Sequence, residues 1–250
     1  MAKLGAVAAA LLDELGYDRV DVLGFSFGGC IAQELARAAP ERVRRLALVS
    51  TACGWGSAPG DLAGLAFVAT PARYYSRTLH EQTNRLLVAP DRRANRRLVD
   101  ARLRHRPSPL GYAYQVLAAA GWSSLPWLNT IAAPTLVLAG ERDQITPPAN
   151  GVLLARLLAD ARLCTLSGEG HLALFDPDGE AHVLLADFFS SPDLARSHAW
   201  SKAVEVVDDA TVEAALAASG GAEPLRTISG AFRRAVVGSI SRRETRAARC

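Results

Sequence analysis

Val20-Asp21-Val22-Leu23-Gly24-Phe25-Ser26-Phe27-Gly28-Gly29 is the stretch on which the reading of this chain turns. Val20 to Leu23 is a short β-rich run that stops at a glycine. Residues 28–39 (GGCIAQELARAA) read as a helix, closed by Pro40. A serine between them sits at a sharp turn from strand to helix, in a G-x-S-x-G pattern. Such a turn strains the serine backbone, and glycines at the flanking positions let strand and helix approach closely. It also aims the helix N-terminus, with the Phe27 N–H, at the place where an oxyanion would form on a carbonyl attacked by Ser26. The alternatives are a glycine-rich turn with an incidental serine, or a phosphate-binding turn. The strand directly before and the helix directly after favour the nucleophile.

Outward from this stretch the pattern is regular. Residues 4–15 repeat apolar positions at helical spacing and end at Gly16, and Leu46 to Ser50 is the next buried strand. Strand, turn, helix and strand make a βαβ unit, which implies a parallel sheet flanked by helices, an α/β fold. From Cys53 to about Trp127 the pattern loosens, with Pro59, Pro71, Pro90, Pro107, Pro109 and Pro126 punctuating short helical pieces. That is too long for a plain loop and reads as a helical insertion. Regularity returns with a strand over Pro134–Ala139, a turn at 140–148, a helix over 149–159, a short strand Arg162–Leu166 and a helix at about 178–190. The expected organisation is a core in two parts, 1–54 and 127–190, a helical cap insertion at 55–126, and a separate helical extension at 191–250.

Two further polar residues stand at strand ends. Asp143 follows the strand that ends near Gly140, and His171 follows the strand at 162–166 in Gly168-Glu169-Gly170-His171. Each alone has a bland reading, a solvated turn aspartate beside Arg142 and a bystander histidine. Together with Ser26 they form the chain order Ser, Asp, His, each at the carboxyl edge of the sheet, where catalysis collects in open α/β sheets. Glu169 is the reserve candidate for the acid. His80 and His105 lie in the insertion, His182 in the last helix and His198 in the extension, and none follows a strand. The triad chemistry requires no metal and no cofactor.

Composition bounds the rest. A net charge of +3 over 250 residues gives no reason to expect a nucleic-acid partner. Cys30, Cys53, Cys164 and Cys250 have neither C-x-x-C nor metal-ligand spacing, which favours a reducing, cytoplasmic setting. No apolar run approaches the length of roughly 20 residues that a bilayer requires. Met1 to Leu12 faintly imitates a signal peptide, but it runs into Asp13 and Glu14 as a helix without a good cleavage site.

Across residues 3–190 the chain resembles the intracellular poly(3-hydroxyalkanoate) depolymerases for medium-chain polymers, a branch of the α/β-hydrolase fold. The similar segments are GFSFGGCIAQELARAAPERVRRLALVSTA from Gly24, GYAYQVLAAAGWSSLPWL from Gly111, APTLVLAGERDQITPPANGVLLARLL from Ala133, and GHLALF from Gly170. The resemblance implies a serine hydrolase acting on a hydrophobic acyl ester, with helices of about 55–126 as a lid over an apolar acyl site. Phe25, Phe27, Trp122, Leu125 and Trp127 are candidates to line that site, with core packing the alternative for each. The chain departs from the family twice. Phe27 stands where the family usually carries Trp, which is compatible with function because the backbone N–H does the work. The family's early strands, with the loop supplying a second oxyanion donor, would precede the helix at 4–15, and here the chain begins at that helix. The resemblance then implies an unpaired side on the Val20–Leu23 strand.

The extension finds no counterpart in the resemblance. Its end is basic, and Ile228, Phe232, Val236 and Ile240 fall on one helical stripe. Contact of 226–249 with a membrane or polymer-granule surface competes with a helix packed on the body, and the packed helix is favoured. Rival functions are a general carboxylesterase or lipase with the same triad, and an inactive truncated hydrolase kept as a binding piece.

Overall fold

The computed structural model describes residues 1–87, 96–206, 208–219 and 230–236. Helix α1 (Ala2–Glu14) leads into β1 (Val20–Phe25), α2 (Phe27–Ala38) and β2 (Val43–Val49). Four helices follow: α3 (Leu62–Val68), α4 (Arg77–Leu87), α5 (Arg96–Arg104) and α6 (Pro109–Ala120). The chain then returns to β3 (Thr135–Gly140), α7 (Ala149–Leu157), β4 (Ala161–Leu166) and α8 (Ala181–Ser190), and closes with α9 (His198–Lys202) and α10 (Asp209–Ala218).

The four strands form one parallel sheet in the order β1-β2-β3-β4. Strand alternation divides the buried residues between two cores. Leu46, Leu48, Val137, Ala139 and Leu163 face α2, α7 and α10, with Ala8, Ala9 and Leu12 of α1 packed against that layer. Ala47, Val49, Leu136, Leu138, Cys164 and Leu166 face α8 and α9. Buried on both faces, Leu46–Val49 of β2 and Leu136–Gly140 of β3 read as continuous apolar runs, as strands of a covered parallel sheet do. Among the described residues β1 pairs with β2 alone, so it forms an edge of the sheet.

The end of the chain corrects the expectation of a separate extension. Val204 makes an isolated antiparallel bridge to Leu163 of β4, with N–H to carbonyl distances of 2.8 and 2.7 Å. Trp200 stacks on Phe188 at 5.7 Å, and Val206, Val212 and Leu216 join the α2–α7 core. Residues 198–216 therefore complete both cores. The alternation of strand and helix stops at Ser191, but the burial of apolar surface does not, and burial rather than pattern defines the unit. Of the basic stretch at 226–249, only 230–236 lies among the described residues. There Arg233 is buried and donates to the Gly56 carbonyl at 3.2 Å, and Val236 packs on the core.

The inserted helices reach the carboxyl edge of the sheet at two points. The Asp61 N–H, at the N-cap of α3, donates to the Gln144 carbonyl at 2.7 Å, and the Arg102 guanidinium of α5 lies 5.8 Å above the Phe175 ring. No helix among the described residues is long and apolar enough to cross a membrane.

Candidate active site

Ser26 joins β1 to α2 with φ 49° and ψ −121°, a conformation that costs a non-glycine residue about 1–3 kcal/mol and persists only when its surroundings enforce it. The enforcing contacts are specific. The Ser26 N–H donates to the Val49 carbonyl at 3.0 Å, continuing the β1–β2 ladder, and the Thr51 hydroxyl donates to the Ser26 carbonyl at 2.7 Å. The turn delivers Ser26 Oγ to 2.9 Å from His171 Nε2. His171 Nδ1 lies 2.8 Å from Asp143 Oδ2, and Asp143 Oδ1 accepts from the N–H groups of Ile145 (2.9 Å) and Thr146 (2.8 Å). A carboxylate only accepts, so Nδ1 carries the imidazole proton and Nε2 presents its lone pair to the serine hydroxyl. Asp143 and His171 are both buried, so the relay is shielded from competing water.

The structure thus brings together Ser26, His171 and Asp143 from the ends of β1, β4 and β3. Glu169 is not the partner of His171 Nδ1. Its backbone carbonyl accepts from the Arg142 N–H at 2.8 Å, and its carboxylate lies toward Gly179. Phe27 opens α2, placing its N–H at the first turn beside Ser26. Phe25 packs on His171 (5.4 Å between ring centroids) and on Phe175 (5.0 Å, edge to face), so an aromatic surface borders the reacting pair.

The described contacts of Trp122, Leu125 and Trp127 are those of the packing alternative. The Trp122 indole N–H donates to Glu34 Oε1 at 2.8 Å, and Trp127 lies against Trp122 and under the Arg37 guanidinium. Glu34 and Arg37 are two to three turns along α2 from Ser26, about 12–17 Å at 1.5 Å per residue. Leu125 is core, 2% exposed. The indole and amphipathic guanidinium cover α2 as packing does, and Glu34, buried, gains the donor it needs. Trp122→Phe is therefore expected to lower stability by about 1–2 kcal/mol, since it leaves a buried carboxylate oxygen short of a donor. Denaturant unfolding reads this. A raised KM for esters without a stability loss would return Trp122 to the substrate site.

The sequence pattern also missed two supporting residues. A Cβ on Gly24 would fall 2.6 Å from Gly29 Cα, and one on Gly29 would fall 2.5 Å from Thr51 Cγ2, whereas one on Gly28 would meet nothing within 4 Å. The close approach is thus made by Gly24 and Gly29, and the second glycine of the G-x-S-x-G pattern is not the crowded one. Thr51, the clamp on Ser26, stands 25 residues away and carries no motif. The thiol of Cys30, on α2 close to the serine, is no rival nucleophile, because burial pushes it up to about 12.

The model of the family described as alpha/beta hydrolase fold matches residues 1–178. The chain belongs to this family. Among curated proteins it is similar to a poly(3-hydroxyalkanoate) depolymerase of Ectopseudomonas oleovorans, 36% identical over 178 residues, covering 68% of this chain and 61% of that protein. It is also similar to a pimeloyl-[acyl-carrier protein] methyl ester esterase of Aromatoleum aromaticum, 32% identical, covering 74% of this chain and 79% of the other. Among solved structures it matches MGS-M2, an α/β-hydrolase enzyme from a Medee basin deep-sea metagenome library, with a TM-score of 0.62, 19% identity, and coverage of 76% and 71%. At that identity the match concerns the fold alone. The chain spans 61% of the length of the depolymerase it matches.

Proposed function

We propose that this α/β-hydrolase is a serine hydrolase that cleaves hydrophobic acyl esters, with medium-chain poly- or oligo(3-hydroxyalkanoate) as the substrate class. One observation carries the reading: a hydroxyl on a strained strand-to-helix turn, 2.9 Å from an imidazole that is itself held by a buried carboxylate at 2.8 Å. Ser26 Oγ adds to the ester carbonyl as its proton passes to His171 Nε2. Asp143 holds the imidazole tautomer and stabilises its charged form. The negative oxygen of the tetrahedral species is met by the Phe27 N–H and the positive end of α2. Collapse breaks the ester C–O bond, and His171 Nε2 returns the proton to the departing alkoxide. A water then adds to the acyl group, giving its proton to the same nitrogen, and the acid leaves as the proton returns to Ser26 Oγ.

The substrate class is supported by the likeness to the depolymerase and by the apolar border of Phe25 and Phe175 beside His171. The likeness to the methyl ester esterase supports a second reading, a carboxylesterase of small esters using the same residues. A 3-hydroxyoctanoate oligomer against a simple octanoate ester separates the two by which is turned over with the higher kcat/KM. Unpaired Cys30, Cys53 and Cys164 support a reducing, cytoplasmic setting.

The deciding experiment is intact-mass spectrometry after a fluorophosphonate is added, with Ser26→Ala as the control. One adduct on the parent chain and none on the variant is the expected result. No adduct on folded protein would sink the hydrolase reading and favour a binding role.

A further inference from the structure

The inserted helices hold a group of cations for which the ester chemistry above has no use. Arg73, in the turn Pro71–Tyr74, is buried, and its Nη2 donates to the hydroxyls of Tyr74 (3.3 Å) and Tyr112 (3.2 Å). Its Nε and Nη1 are sealed from solvent and have no hydrogen-bond partner among the described residues. The Tyr112 hydroxyl spends its own proton on the Val68 carbonyl at 2.6 Å, so it meets Arg73 only as an acceptor. His80 of α4 is 1% exposed and lies with Nδ1 3.0 Å from the Arg73 carbonyl, an acceptor, which places the ring proton on Nδ1 and pins the turn that carries Arg73. Burial pushes His80 below its ordinary value, with Arg102, Arg73 and Arg77 adding to the effect, so the local field is positive. Burial likewise lowers the half-buried Arg102.

Among the described residues neither Arg73 nor Arg102 makes an ion pair, whereas Arg77 beside them is matched by Asp100 at 2.7 Å. Two neighbouring guanidinium groups, one with donors left unpaired inside the protein, are costly to keep unless something anionic joins them. From His171 successive contacts lead to Phe25 (5.4 Å between ring centroids), to Phe175 (5.0 Å) and to the Arg102 guanidinium (5.8 Å from that ring), a path of two aromatic rings that ends in a cation. An alkyl chain suits the first part of that path, and a carboxylate suits the end, because the guanidinium fork matches its two oxygens.

We propose that Arg102, backed by Arg73, binds a carboxylate at the far end of the ester substrate, so that the enzyme prefers carboxylate-terminated esters to neutral ones of equal length. This rests on the ester-hydrolase reading. Two sources share the chemistry. The free-acid end of a hydroxyalkanoate oligomer carries the carboxylate on the departing alcohol, and a half-ester of a dicarboxylic acid carries it on the acyl group.

The test compares two pairs on the full chain: the 3-hydroxyoctanoate dimer against its methyl ester, and mono-p-nitrophenyl adipate against p-nitrophenyl hexanoate. The charged member of at least one pair is expected to have a kcat/KM at least about tenfold higher, the effect of one charge-assisted hydrogen bond. Preference for the dimer acid places the carboxylate on the alcohol side, and preference for the adipate places it on the acyl side. Arg102→Gln should bring the preferred ratio to about one, and Arg102→Lys, which keeps the charge but loses the fork, should leave it intermediate. Ratios near one in both pairs on the parent chain overturn the proposal whether or not either variant folds. If no ester is cleaved, the hydrolase reading fails by itself. Calorimetry with hexanoate then decides the cation site: binding weakened at least about tenfold by Arg102→Gln keeps a carboxylate site, and absent or unaltered binding removes it.

Discussion

Replacing His171 with alanine is expected to reduce ester hydrolysis on the order of 10⁴-fold or more while leaving the chain folded. His171 is the one group within hydrogen-bond distance of Ser26 Oγ, at 2.9 Å, among the described side-chain bonds. Without it the serine proton has no acceptor on attack and the alkoxide has no donor on departure, so both halves of the reaction slow. Members of such a unit do not contribute additively, and loss of the base alone removes most of what the three supply together. The variant also frees Asp143 Oδ2, a buried oxygen, but Oδ1 keeps its two backbone donors. The fold should therefore survive with a modest loss of stability. Activity on a p-nitrophenyl ester and a thermal unfolding curve together check this. A loss smaller than tenfold would mean that His171 does not carry the proton.

The second large effect concerns the turn. Gly29→Ala is expected to destabilise the chain by about 2–3 kcal/mol and to slow fluorophosphonate labelling of Ser26 by about 10²-fold. The new methyl group would fall 2.5 Å from Thr51 Cγ2, and Thr51 is the residue whose hydroxyl holds the Ser26 carbonyl at 2.7 Å. Moving Thr51 away relaxes the serine from its positive φ, and Oγ leaves the line to His171. Gly28→Ala, one residue earlier, meets open space and is expected to keep or slightly raise stability through its better helix propensity. Denaturant unfolding and labelling rates of the two variants give the comparison. Equal effects at both positions would show that the second motif glycine is crowded after all.

The elements were legible because their signals are local. The turns at Gly24 and Gly140 follow short apolar runs, and the helix of residues 27–38 shows its spacing before Pro40 ends it. Strand boundaries moved by up to three residues, as at β2, which begins at Val43 rather than Leu46. Val43-Arg44-Arg45 hides its strand character behind two arginines. Arg44 pairs with Asp21 of β1, and Arg45 is buried against the Phe188 carbonyl. Both partners lie on other elements, one of them 143 residues away, so nothing in the local pattern announces them.

Ser26, Asp143 and His171 could be picked out because each stands directly after a strand, and a parallel sheet brings all such ends to one edge. The sequence by itself determined the α/β class, the order of the elements and the edge at which these three meet. Residue type and periodicity specify which elements form, and the one-way run of parallel strands specifies where their ends gather. Only the tertiary structure decided that Trp122 and Trp127 pack on α2 at Glu34 and Arg37, that Thr51 clamps the nucleophile turn, that residues 198–216 complete the cores, and that the Arg102 guanidinium lies over Phe175 within the electrostatic reach of Arg73. Each of these is a contact between residues distant in the chain. Such contacts are set by which surfaces remain to be buried once the local elements exist, and a one-dimensional pattern does not contain that information.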